Sequence, residues 1–66
     1  MSVTVNGTAC ELPAGATVAQ AVRRLTEAPS GVAVAVNDEV VPRGAWESTA
    51  LGEADRVEVL TAVQGG

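Results

Sequence analysis

The sequence contains no histidine, lysine, tyrosine or phenylalanine, and each absence removes a class of function. Without histidine the commonest general base is missing, and without lysine there is no side-chain amine for Schiff-base chemistry. A lone aromatic residue, Trp46, cannot supply the row of rings on which single-stranded nucleic acid stacks. These gaps argue against an enzyme. All four cations are arginines, so the α-amine is the one amine expected, and the chain cannot form lysine-linked polymers of itself. The single cysteine, Cys10, permits neither an intrachain disulfide nor a multi-cysteine metal cluster, and no metal site is expected. No apolar run approaches the length that spans a bilayer, and Met1-Ser2-Val3-Thr4-Val5-Asn6 lacks the features of a secretory signal. A soluble, cytoplasmic protein is expected.

What is present bounds the answer further. A chain of 66 residues is one domain, and a domain of that size buries only about 60% of its unfolded surface, leaving little room for an enclosed catalytic pocket. The net charge of -4 opposes binding to nucleic acid or to an anionic membrane, and suits partners with basic docking surfaces.

Along the chain the periodicities are short and distinct. Val3 and Val5 alternate with Ser2 and Thr4 as in a half-buried strand, and Asn6-Gly7 tolerates the two positive φ angles of a type I′ hairpin turn. The return strand Thr8-Ala9-Cys10-Glu11-Leu12 places Cys10 with Leu12 on one face, so Cys10 reads as filler, and Pro13 closes it. Thr17 and Gln20 have the spacing of a capping box. Val18, Ala21, Val22 and Leu25 then form one apolar helical stripe, with Gln20, Arg23, Arg24 and Glu27 facing solvent. Pro29 disfavours helix at Ala28, and Ser30-Gly31 turn the chain.

Val32-Ala33-Val34-Ala35-Val36 predicts a well-covered strand with valines on one side and alanines on the other. Asn37-Asp38 can turn tightly into a short strand, Glu39-Val40-Val41, which Pro42 confines to an edge. A connection from Arg43 to Asp55 carries Trp46 and Leu51 as covers for the core. From Arg56, Val57 and Val59 point one way while Glu58, Leu60 and Ala62 point the other. The expected core is Val3, Val5, Leu12, Val18, Val22, Leu25, Val34, Val36, Val57 and Val59.

The sequence closes with Thr61-Ala62-Val63-Gln64-Gly65-Gly66. With 7 glycines in 66 residues, above average usage, a chance terminal Gly-Gly has a probability of roughly 1%. One reading is a frayed end; the other is a flexible arm, residues 64–66, whose Gly66 carboxylate enters the active site of another protein while Gly65 keeps the backbone thin enough for a narrow channel. Extended, Leu60 to Gly66 would reach about 20 Å. Leu60, Ala62, Gln64 and Arg43 are candidate docking residues beside that arm, although one surface leucine is ordinary.

Val5-Asn6-Gly7, Gly15-Ala16-Thr17-Val18, Ala35-Val36-Asn37, Val41-Pro42-Arg43 with Trp46, Asp55-Arg56-Val57-Glu58 and Ala62-Val63-Gln64-Gly65-Gly66, at these spacings, resemble the ThiS family of thiamin-biosynthesis sulfur carriers over essentially the whole chain. The resemblance implies an α+β, ubiquitin-like β-grasp domain over 1–66: a mixed sheet of four or five strands, first and last paired in parallel at its centre, one helix across one face, residues 1–63 globular and a Gly-Gly tail. Ala54 departs from the family pattern, which has glycine before the Asp.

It also implies a carrier that is acted upon. An E1-like adenylyltransferase of the ThiF or MoeB kind would adenylate Gly66 with ATP and Mg. Sulfur from a cysteine desulfurase would then leave a thiocarboxylate, which thiazole synthase would consume. No cofactor would be bound by the carrier. Alternatives sharing the tail are the small subunit of molybdopterin synthase, a carrier for cysteine biosynthesis, and a ubiquitin-like modifier; a β-grasp binding module with an idle tail is another.

Overall fold

The computed structural model describes residues 1–25 and 31–61. Five strands and one helix follow in the order β1 (Ser2–Val5), β2 (Thr8–Glu11), α1 (Val18–Leu25), β3 (Val32–Val36), β4 (Glu39–Val41) and β5 (Arg56–Thr61), with a 3-10 helix at Arg43–Ser48 between β4 and β5. The strands form one mixed sheet ordered β2-β1-β5-β3-β4. β1 and β5 run parallel at its centre with Val5 opposite Val57, and every other pairing is antiparallel. The short β4 is a true fifth strand and stands at an edge, where Pro42 can follow without breaking a ladder. No helix among the described residues is long and apolar enough to cross a membrane.

Local chemistry fixes the turns. Asn6 and Gly7 take φ of 51° and 82°, the two positive values of a type I′ hairpin, and Asn37 and Asp38 repeat the device at 51° and 71° between β3 and β4. The α1 cap is the reciprocal one that its spacing predicts: the Thr17 N–H donates to Gln20 Oε1 at 2.9 Å, and the Gln20 N–H to Thr17 Oγ1 at 3.4 Å. Residues 26–30, where the turn at Pro29 is expected, lie outside the described residues.

The core lies between α1 and one face of the sheet. Val3, Val5, Leu12, Val18, Val22, Val34, Val57 and Val59 are buried as expected, with Trp46 and Leu51 closing one end. Two expectations need correction. Val36 is only half-buried, because it ends β3 beside the exposed Asn37-Asp38 turn. Leu25 is 49% exposed, since by the last described turn α1 has passed the core and Leu25 borders an open hollow beside the hairpin. Ala19 is buried in its place, turned toward the 3-10 helix. Cys10 is half-buried against the core, opposite Val3.

The connection from Arg43 to Asp55 is more structured than its sequence suggests. Trp46 is buried and its Nε1–H donates to the Val41 carbonyl at 3.0 Å, tying the 3-10 helix to the end of β4. The chain then pairs with the segment entering α1: the Leu51 N–H donates to the Ala16 carbonyl at 2.8 Å and the Val18 N–H to the Thr49 carbonyl at 3.0 Å.

At Gly52–Asp55 the Asp55 N–H returns to the Gly52 carbonyl at 3.1 Å, and Ala54 has φ of 70°, the position that favours glycine in a type II turn. Ala54 is held there by its N–H, which donates to the Ser2 carbonyl at 2.7 Å. The left-handed region costs a non-glycine residue about 1–2 kcal/mol, and the greater freedom of glycine in the unfolded chain offsets about 0.4–1 kcal/mol of any gain. Ala54→Gly will therefore stabilise the domain by up to about 1 kcal/mol. Urea unfolding should show a higher midpoint with an unchanged slope; a lower midpoint would mean that the turn carries no strain.

Candidate functional site

β5 is the strand from which residues 62–66 continue, so the surroundings of its last residues define the candidate site. Its register is held from both flanks. Antiparallel pairing to β3 runs from Val36 opposite Val57 to Val32 opposite Thr61. On the other flank β1 turns away after Val5, and the Asn6 side chain takes over the pairing: its Nδ2–H donates to the Val59 carbonyl at 3.1 Å and its Oδ1 accepts the Val59 N–H at 2.8 Å. An amide side chain can do this because it carries the same donor and acceptor as a peptide group. Asn37 does the same at the other end of β5, accepting the Arg56 N–H at 2.9 Å while its own backbone N–H donates to the Arg56 carbonyl at 2.8 Å. Both asparagines thus take the turn's positive φ and bind β5 with side chain and backbone N–H alike, that of Asn6 donating to the Val57 carbonyl at 2.9 Å.

The helix-free face of the sheet is where Leu60 projects. Leu60 is 69% exposed and stands opposite Ala33; on the next pair outward along that face Ala35 stands opposite Val40, which is 74% exposed. The result is an apolar strip across β5, β3 and β4, bordered by the exposed Glu58 and Arg56. Of the four residues of this strip, the sequence singles out Leu60 alone. Ala33, Ala35 and Val40 were missed as its neighbours; the alternation of Val32–Val36 does put the alanines on the side away from the core, but only the pairing register sets them beside Leu60. Arg43 is not part of this strip. It belongs to the 3-10 helix on the α1 side of the sheet, with its guanidinium carbon 5.2 Å from the centroid of the Trp46 ring. Ala62, Gln64, Gly65 and Gly66, and with them the expected tail mobility, lie outside the described residues.

Among the described residues two ionisable groups are displaced from their ordinary values, and both support the sheet's end near the 52–55 turn. The Asp55 carboxyl is held below 3.8, chiefly by the Gly52 N–H at 2.7 Å and then by the Asn37 amide at 3.1 Å, with burial acting in the opposite sense. The Met1 α-ammonium is raised above 8.0, first by its hydrogen bond to Glu11 at 2.9 Å; burial opposes this, and the charges of Glu11 and Glu53 add to it. Neither group lies on the apolar strip, so the strip presents uncharged surface flanked by Glu58 and Arg56. Such a surface can bind a partner but offers no nucleophile or base of its own.

Comparison with known proteins agrees with this reading of the fold. A family model described as the ThiS family matches residues 3–66. The chain is 29% identical to the sulfur carrier protein ThiS of Escherichia coli (strain K12) over 66 residues, covering all of both chains. It is also similar to the thiamine biosynthesis protein ThiS of Geobacter metallireducens. The crystal structure of that protein superposes with a TM-score of 0.80 at 32% identity over the whole of both chains. Its solution structure gives the same TM-score and identity with 88% of that chain covered. The expected ubiquitin-like β-grasp is therefore the fold, with the helix on one face of a five-stranded sheet.

Proposed function

The chain belongs to the ThiS family, a family of sulfur carriers and not of enzymes, and from that membership we propose that it carries sulfur as a thiocarboxylate on Gly66 for assembly of the thiamin thiazole. The observation that supports this most is that the family match runs through Gly65 and Gly66, in a sequence whose central strand, β5, ends at Thr61.

The chemistry needs a partner enzyme. A carboxylate is a poor electrophile because oxide is a poor leaving group. An adenylyltransferase of the ThiF or MoeB kind, using ATP and Mg, lets the Gly66 carboxylate oxygen attack the α-phosphorus, releasing pyrophosphate and leaving an acyl adenylate. The terminal sulfur of a persulfide, supplied from cysteine by a desulfurase, attacks the acyl carbon and expels AMP. A thiol then reduces the acyl disulfide so formed, giving the thiocarboxylate and a disulfide. This carrier's own part is positional. Gly65 has no Cβ to clash in a channel, and the Asn6 clamp on Val59 with the β3 pairing up to Thr61 holds the end of β5 that precedes the tail. The strip of Leu60, Ala33, Ala35 and Val40 gives the adenylyltransferase and thiazole synthase a surface to dock on, with a mostly apolar centre and a charged rim.

The test is incubation with such an adenylyltransferase, MgATP, a cysteine desulfurase and cysteine, followed by intact mass. Replacement of one oxygen by sulfur, mapped to Gly66, is the expected product. An unmodified chain in a system that loads the Escherichia coli carrier would reject the proposal.

A further inference from the structure

Across the sheet from the apolar strip, between α1 and the 3-10 helix, lies a groove of about 280 Å³. Its floor is apolar: Ala19, Val22 and Trp46 are 6%, 1% and 4% exposed. Its rim is charged. On one side Arg23 donates to Glu47 at 3.3 Å. On the other, Arg43 stacks on the Trp46 ring, and no carboxylate among the described residues is within ion-pair distance of it. Gly44 adjoins Arg43, and a Cβ built there would meet no atom within 4 Å. Arg24 follows on the exposed surface of the same helix, so three of the four arginines of a chain with net charge -4 lie along α1 and the 3-10 helix.

We propose that this groove is a second docking site, one that takes an acidic segment of a partner protein carrying an apolar side chain. The apolar side chain covers Val22, Ala19 and the edge of Trp46. A carboxylate of the segment meets the Arg43 guanidinium, which lies over the indole at 5.2 Å from its centroid and can donate two parallel hydrogen bonds. Charge complementarity selects the occupant: the chain as a whole repels acidic peptides, but with Arg23 paired to Glu47 the groove keeps the positive charge of Arg43, which attracts a carboxylate. Because the groove and the Leu60 strip are on opposite sides of the sheet, a partner held in the groove leaves the strip free for a second protein.

The probe is an acetylated, amidated peptide of sequence Glu-Leu-Glu-Leu-Glu, titrated into isotope-labelled protein at low salt and followed by amide shifts and by emission of the lone tryptophan. Saturable shifts clustered at Val22, Arg43 and Gly44, with a change in Trp46 emission, are the expected result. Affinity should fall at least about tenfold in Arg43→Glu, which removes the charge-assisted contact, and weaken as salt is raised. Gly44→Leu, whose side chain extends into open space, should block the groove without touching the charge. The glutamine analogue of the peptide should bind as weakly as Arg43→Glu does. Shifts centred on Leu60, equal binding by the glutamine peptide, undiminished binding by both variants, or no saturation would each overturn the proposal.

Discussion

A chain lacking Gly66, or carrying one residue beyond it, will take up no sulfur while unfolding at the same temperature as the parent. The two halves of this result have separate origins. Stability is unaffected because, among the described residues, the last buried one is Val59, and the pairing that holds β5, from Val57 to Thr61 against β3 and through Asn6 and Asn37, is all upstream of the change. Loading is lost because attack on the ATP phosphorus needs the carboxylate oxygen within about 3–3.5 Å, and one residue of extended chain displaces it by about that distance, at which the advantage of a pre-positioned reactant disappears. Gly65→Val should slow loading for another reason: a branched side chain restricts φ and widens the tail while leaving the carboxylate at its proper distance. Intact mass after the loading reaction, alongside thermal unfolding of each variant, makes the measurement. Loading of the extended chain at the parent's rate would remove Gly66 as the acceptor.

The largest loss of stability is expected from Trp46→Ala, at about 3–5 kcal/mol. Trp46 is 4% exposed, closes the end of the core, and spends its one polar atom on the Val41 carbonyl. Truncation leaves a cavity beside Val22 and Ala19 and a carbonyl without its donor. A domain of this size has roughly 3–10 kcal/mol in total, so the variant should be largely unfolded at moderate temperature. Leu25→Ala is the informative contrast. The helical stripe assigns Leu25 to the core, but at 49% exposure it has about half the burial of a core leucine to lose, which is worth no more than about 1 kcal/mol. Circular dichroism during urea unfolding separates the two. A Trp46→Ala protein as stable as Leu25→Ala would mean that the 3-10 helix does not help to hold the core.

The amino-acid sequence by itself determines what neighbours in the chain can settle among themselves. The positive φ angles at Asn6-Gly7 and Asn37-Asp38, the Thr17–Gln20 cap and the burial of Val18, Ala21 and Val22 are each governed by residues within a turn or two of one another. The central position of β5, by contrast, came from resemblance to a family, because parallel pairing with β1 joins residues some fifty positions apart and leaves no local mark. Three features were decided only by the tertiary structure. Leu25 is exposed because a helical stripe has no information about where the sheet beneath it ends. Leu60 gains Ala33, Ala35 and Val40 as neighbours through a register between strands that no single strand's alternation encodes. Arg43 stands across the sheet from Leu60, stacked on Trp46, because burying that indole against α1 carries the preceding residues of the 3-10 helix to the helix side.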